Sequence, residues 1–201
     1  MSCTGVILAG GAASRFGGRP KGLEVVGGVR ILDRVARALR QVTDDLLLVA
    51  NAPDAAAWLP GVRTVPDLRP GDGALGGLHT ALAAAETDIL LVAWDMPFLS
   101  PALLGLLRAE GEGAELDAML PESEASRRGV EPLCAWYAQR CLPAVATALA
   151  AGDRRVIAFL DQVRVGRLPL ARVAAFGDPD RLFRNVNTAE ELAAAEAIAR
   201  G

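Results

Sequence analysis

The chain has 201 residues and a formal net charge of −3, enough length for one ordinary domain and the wrong balance for bulk affinity to nucleic acid. Hydrophobic residues make up 52%, and although 38 of the residues are alanine, the 66 stronger apolar ones are enough for a core, which excludes a disordered chain. Apolar runs such as 89–94 fall far short of the ~20 residues of a membrane span, three cysteines without a CxxC spacing argue against a disulfide framework, and with no basic residue in Met1-Ser2-Cys3-Thr4 to suggest a leader, the expected home is a reduced cytoplasm.

Gly5-Val6-Ile7-Leu8 reads as a buried strand, and residues 31, 32, 35, 39 and 42 form the apolar stripe of a helix over 31–42. Leu46–Ala50 and Val62–Val65 read as strands, 75–85 as a helix despite its glycines, and 89–93 as a strong strand. Pro101 opens a helix to about Arg108, as proline suits a first helical turn. Strands alternating with crossover helices predict an α/β fold of three layers, Rossmann-like, around a mostly parallel central sheet. The second half is less regular. Residues 117–121 read as a strand, 122–129 as a polar mobile loop, 132–137 as extended, and 143–151 and 156–160 as helices. Residues 163–168 and 173–176 read as further strands or a small hairpin. A last helix over 189–200 has Thr188 as its cap and Glu191 three residues on, a capping box. Neither a repeat nor a linker interrupts 1–201, so one domain is expected.

The segment Leu8-Ala9-Gly10-Gly11-Ala12-Ala13-Ser14-Arg15-Phe16-Gly17-Gly18-Arg19-Pro20-Lys21 follows the first strand. Ligands of open α/β sheets bind at the carboxyl ends of strands, and glycines let backbone N–H groups close on a phosphate. The spacing is neither GxGxxG nor a Walker loop, since Gly22 follows Lys21. The basic residues are 20 arginines and one lysine, so Lys21 reads as a place where only a compact point charge fits. Asp95, just past a buried strand, suits Mg²⁺ bound together with triphosphate oxygens, though a turn or cap aspartate would look the same. The stretch Asp67-Leu68-Arg69-Pro70-Gly71-Asp72-Gly73 predicts tight turns before a helix. Asn185 and Asn187 read equally as a turn ahead of a capped helix or as part of a site. His79, the only histidine, has no partner in sequence and reads as packing; Arg154 and Arg155 read as solvated residues at a helix start.

The first loop resembles the LAGGxSxRxGxxK signature of the nucleotidyltransferase superfamily, which adds a nucleoside monophosphate to a phosphate or an alcohol. Ala13 replaces a serine or glycine common there. Trp94-Asp95-Met96-Pro97 resembles the superfamily's D-x-P element, with Trp94 where a small residue or cysteine is usual. Asp67–Leu78 looks like the D-x-x-P-G-x-G-P-L-x-G-L element of the MobA family, the molybdenum cofactor guanylyltransferases, with Ala74 for proline. Gly129–Tyr137 resembles that family's G-x-x-x-P-L-x-A-x-Y stretch, and Arg184–Leu192 its F-x-N-x-N-T-P-E-E-L ending.

The resemblance implies transfer of GMP from GTP to molybdopterin cofactor with release of pyrophosphate, with Mg²⁺ as cofactor. It implies Arg15, Lys21 and Asp95 as the catalytic set, with Asp95 on the metal. Leu8, Ala9, Gly10, Gly11, Lys21, Asn51, Asp67, Gly73 and Asp95 would bind the nucleotide, mostly from residues 1–100. Asn185 and Asn187, within 101–201, would hold the pterin substrate. A helper protein that delivers the cofactor is left open, and neither nucleic acid nor a membrane is expected as a partner. Cytidylyl transfer to the same cofactor, sugar-phosphate nucleotidyl transfer and a non-catalytic GTP sensor are the alternatives; retention of both Lys21 and Asp95 argues against the sensor.

Overall fold

Strand β1, Cys3–Ala9, is buried along its whole length, and its alternating side chains enter two different cores. Ile7 and Ala9 point into one, Val6 and Leu8 into the other, as expected of a strand covered on both faces. The computed structural model describes residues 2–10 and 20–201. β1 pairs in parallel with β4 (Asp45–Ala50) on one side and β6 (Asp88–Ala93) on the other, and β4 pairs in parallel with β5 (Arg63–Val65). Beyond β6 lies β8 (Cys134–Tyr137), antiparallel to it, then β7 (Ala118–Pro121) and β9 (Val165–Leu168). The seven-stranded order is β5-β4-β1-β6-β8-β7-β9, mostly parallel with β8 reversed.

Helices α1 (Ile31–Leu39) and α3 (Pro101–Gly113) cover one face and α2 (Gly73–Ala85) and α4 (Leu142–Ala150) the other, which makes the three layers. α2 can lie close on β1 because Gly77 faces Leu8; a Cβ there would come within 2.4 Å of Leu8 Cδ1. Ser100 caps α3 by accepting the Leu103 N–H at 3.3 Å, with Pro101 in the first turn. A small hairpin, β2 (Val25–Val26) and β3 (Val29–Arg30), turns through Gly27 and Gly28, both left-handed at φ 58° and 75°. It docks on α7 (Ala189–Arg200), where the Gly27 N–H donates to Glu196 at 2.9 Å.

Several elements differ from the sequence expectation. α1 stops at Leu39 and a short turn carries the chain on to Val42. Residues 156–160 form no α-helix: i→i+3 bonds such as Ala158 N–H to Arg155 O at 2.9 Å make successive tight turns, which already bring Val156 and Phe159 inward. Residues 173–176 are not a strand. Val173 ends the short α5 (Leu170–Val173) and a 3-10 turn follows, so Val173 and Phe176, three apart, face the same core. A further short helix, α6 (Pro179–Leu182), precedes the asparagine segment. The capping box of α7 is present as expected: the Glu191 N–H donates to Thr188 Oγ1 at 3.2 Å and Glu191 Oε2 accepts the Thr188 N–H at 3.1 Å. Residues 122–129 form a loop whose ends are bridged between Glu122 and Val130.

Candidate functional site

The carboxyl ends of β1, β4 and β6 open into one cleft of about 690 Å³. Because β8 runs against β6, with Val92 opposite Cys134, the residues just before β8 arrive at that same rim. The Ala93 N–H donates to Leu133 O at 2.8 Å and fixes this junction. Parallel strands therefore deliver site residues at their ends and β8 delivers them ahead of its start.

Leu8, Gly10, Lys21, Asn51, Asp67, Gly73, Asp95, Asn185 and Asn187 all line the cleft. Ala9 does not; its side chain is packed in the core. Gly11 and Arg15 lie outside the described residues. Lys21 is the junction of the site. Its Nζ forms an ion pair with Asp95 Oδ2 and donates to Asn187 Oδ1 at 2.6 Å. Side-chain exposures are 15% for Lys21 and 8% for Asp95, so each charge depends on the other. Asp95 also holds the asparagine segment through its backbone, since the Val186 N–H donates to Asp95 O at 3.0 Å. Glu191 of the capping box reaches one residue further and accepts the Asn187 N–H at 2.6 Å. The helix cap is thus part of what aims Asn187 at Lys21.

A second cluster lies at the ends of β4 and β5. Asn51 Nδ2 donates to Asp67 Oδ2 at 2.6 Å and the Asp67 N–H returns to Asn51 Oδ1 at 2.7 Å. Thr80, buried on α2, accepts the Leu68 N–H at 2.9 Å and so anchors the loop behind Asp67. Gly71 and Gly73 are left-handed, at φ 93° and 63°, a backbone that other residues adopt only under strain. Arg154 Nε donates to Asp72 Oδ1 at 3.0 Å and pins the loop from outside, while Arg155 pairs with Asp153. Neither arginine opens a helix. His79 sits half-buried on α2; burial, then the charge of Arg69, holds its imidazole below the ordinary value, and it does not line the cleft.

The sequence reading assigned no role to Glu131, Leu133, Trp94, Met96, Gly71 or Ala74, which also line the cleft. Glu131 is the most telling. Its carboxyl is pushed up by burial, against the Leu133 N–H and the charge of Arg128, and Asp95 adds a smaller push upward. The signal was an acidic residue before Pro132-Leu133, legible only once β8 is known to run antiparallel.

A glycine-rich loop after the first strand of a mostly parallel sheet, with one lysine paired to the carboxylate beyond β6, defines a nucleotidyltransferase. Residues 5–165 match the family described as the MobA-like NTP transferase domain, and the chain belongs to that family. It is similar to the molybdenum cofactor guanylyltransferase of Desulfosudis oleivorans, at 38% identity over 197 residues that cover 96% of this chain and 94% of that protein. It is also similar to the molybdenum cofactor guanylyltransferase of Cereibacter sphaeroides, at 34% identity with 100% and 98% covered. Among solved structures, molybdopterin-guanine dinucleotide biosynthesis protein A from Archaeoglobus fulgidus superposes with a TM-score of 0.82 at 28% identity, over 98% of each chain.

Proposed function

We propose that this protein transfers GMP from GTP to molybdopterin cofactor. An oxygen of the pterin's terminal phosphate attacks the α-phosphorus of GTP, a new P–O–P bond forms, the α–β bond breaks, and pyrophosphate leaves. Such a transfer needs positioning and charge neutralisation more than covalent help from the protein. The observation that carries the reading is the meeting of Lys21, Asp95 and Asn187, drawn from three distant parts of the chain, at the mouth of β1 and β6.

The donor set fits Mg²⁺. Asp95 Oδ1 is buried with no hydrogen-bond partner among the described residues, while Oδ2 is engaged by Lys21. No group of three or more His, Cys, Asp or Glu among the described residues could enclose an ion, so the metal would rest on Asp95, phosphate oxygens and water, as this ion prefers. When bound, it would withdraw charge from the phosphate oxygens. Lys21 has three ammonium protons, two of them aimed at Asp95 and Asn187, which leaves one for a phosphate oxygen. Arg15 adds positive charge on sequence grounds. Leu8, Gly10, Gly73 and the Asn51–Asp67 pair frame the nucleotide in the part of the cleft built by residues 1–100. Asn185 and Asn187 face the pterin. The three cysteines are buried thiols, which suits a reducing cytoplasm.

The test is pyrophosphate release with each of four nucleoside triphosphates, with and without molybdenum cofactor. Release with GTP that requires the cofactor is the expected result, because a site built to hydrogen-bond one base rejects others by leaving its own groups unpaired. Equal turnover of CTP would move the assignment to cytidylyl transfer, and GTP binding without release would make the protein a sensor.

A further inference from the structure

Trp94 lies directly before Asp95, at a position where the D-x-P element it resembles usually has a small residue or cysteine, and is 4% exposed. Its indole stacks on Trp58 with ring centroids 5.4 Å apart and planes 17° from parallel. Trp58 is itself held: its Nε1–H donates to Asp54 Oδ2 at 3.0 Å, and its carbonyl accepts from Arg30 at 3.1 Å, the same arginine that pairs with Asp33 at the start of α1. Against the Trp94 ring lies Gly22, the residue after Lys21. A Cβ on Gly22 would come within 2.4 Å of Trp94 Cε3 and 2.8 Å of Cδ2. The backbone that carries the lysine is therefore in contact with the side chain beside the aspartate it pairs with.

We propose that Trp94 is a positioning residue for nucleotidyl transfer, an indole platform that sets the height of Gly22 and thereby holds Lys21 Nζ between Asp95 and Asn187. A lysine head on a four-carbon stem has many rotamers, so its place depends on where its backbone is fixed. Contact between a ring and a glycine backbone is short-ranged and steep, which makes it a firm stop. It also accounts for the residue after Lys21: Gly22 is not in a left-handed conformation, so glycine is required there by the ring and not by φ. The proposal rests on the transferase reading for its catalytic consequence, but not for its geometry.

Lys21 is the only lysine of the chain, so an amine-acylating reagent reports on it directly once the α-amine is separated by peptide mapping. The ligand-free protein is acylated as wild type, Gly22→Ala, Trp94→Leu and the double variant, and single-turnover GTP consumption is measured beside it. Gly22→Ala pushes the loop off the ring, and acylation of Lys21 should quicken by about tenfold while turnover falls by a similar factor. Trp94→Leu removes the platform with a smaller effect, a few-fold. In the double variant the new methyl fits the space the indole left, so it should match Trp94→Leu alone rather than the product of the two, the signature of direct coupling. Multiplicative effects, or a Gly22→Ala protein whose Lys21 stays as protected as in wild type, overturn the proposal. Should Gly22→Ala fail to fold, Trp94→Leu decides: unchanged acylation counts against the platform and quickened acylation supports it. A wild type without transferase activity would sink the functional reading alone, because the acylation arm does not use it.

Discussion

The two sides of the sheet build the cleft in different ways. From β5 to β6 every strand is parallel and most site residues lie at or just past a strand's end: Leu8 and Gly10 at β1, Asn51 after β4, Asp67 after β5, Asp95 after β6. From β8 to β9 the order of events is mixed. Glu131 and Leu133 precede an antiparallel strand, and Asn185 and Asn187 precede a helix. The first side positions most of its residues by regular β–α geometry, each at the end of its own strand, while Lys21 is held by its contacts. The second side positions them by long-range hydrogen bonds, Val186 to Asp95 and Lys21 to Asn187, with the local Glu191 cap aiming Asn187. The chemistry on the first side should therefore fail through loss of charge, and that on the second through loss of aim.

The largest effect expected on the first side is that of Asp95→Asn. The change keeps the shape and removes the charge from a group that acts where charge shifts during transfer. Single-turnover guanylylation at saturating GTP should fall on the order of a hundredfold or more, a few kcal/mol of transition-state stabilisation. GTP affinity should fall much less, and added Mg²⁺ should restore part of the rate. An unchanged rate would mean that Asp95 is only a turn residue, with Asp67 the next place to look.

Lys21 comes next. Lys21→Arg should cost nearly as much turnover as Lys21→Ala, because a planar fork cannot reach Asp95 Oδ2 and Asn187 Oδ1 from one point. Lys21→Ala leaves Asp95 buried without a counter-charge and should also lower the melting temperature, while Lys21→Arg, which keeps the charge, should lower it less. Full activity in the arginine variant would remove the reading of the lone lysine.

The same contrast explains what the sequence could disclose. The strands of the first side were legible because buried parallel strands are unbroken apolar runs, and the loops after them carry glycine in number. Thr188 and Glu191 were legible because a capping box is local chemistry three residues apart. Val173–Phe176 misled because four apolar residues fit either period; the i,i+3 pairing of Val173 and Phe176 decided for a helical turn. The Gly27-Gly28 pair between valines was a hairpin signal in plain view. Glu131 was not legible, because its place depends on the direction of β8, which local sequence does not encode. Nor was the contact between Gly22 and Trp94, which joins residues 72 apart in the chain.

On the second side, Glu191→Ala should act through aim. It removes the acceptor of both the Asn187 and Thr188 N–H groups, so about 1 kcal/mol of stability should go with the cap. Beyond that cost, Asn187 should lose its alignment with Lys21. The expected kinetic signature is a raised KM for the molybdenum cofactor, several-fold, with KM for GTP little changed. Glu191→Gln, which keeps an acceptor oxygen, should recover most of both. Equal loss of affinity for both substrates would mean that the asparagine segment serves the whole cleft and that the two sides are not separable.

The smallest expected effect asks whether the two sides unfold together. Burial pushes the thiols of Cys3 on β1 and Cys141 beyond β8 up to about 12, and that of Cys134 on β8 higher still. The folded values exceed the unfolded value of about 8.5. The stabilisation from keeping each thiol protonated is therefore complete below about pH 8.5 and is lost as pH rises toward the folded value. Between pH 8.5 and 9.5 each thiol should account for about 1 kcal/mol of lost stability. Replacing any one cysteine by alanine should flatten the fall of melting temperature between pH 8.5 and 9.5 by that share, whatever the substitution costs at neutral pH. Equal shares for Cys3 and Cys134 would show that β1 and β8 expose their thiols in one event, as adjacent neighbours of β6 should. A share confined to Cys134 and Cys141, with Cys3 silent, would show the β7–β9 side opening by itself, and the dependence of that side on long-range hydrogen bonds is the physical reason it would open first.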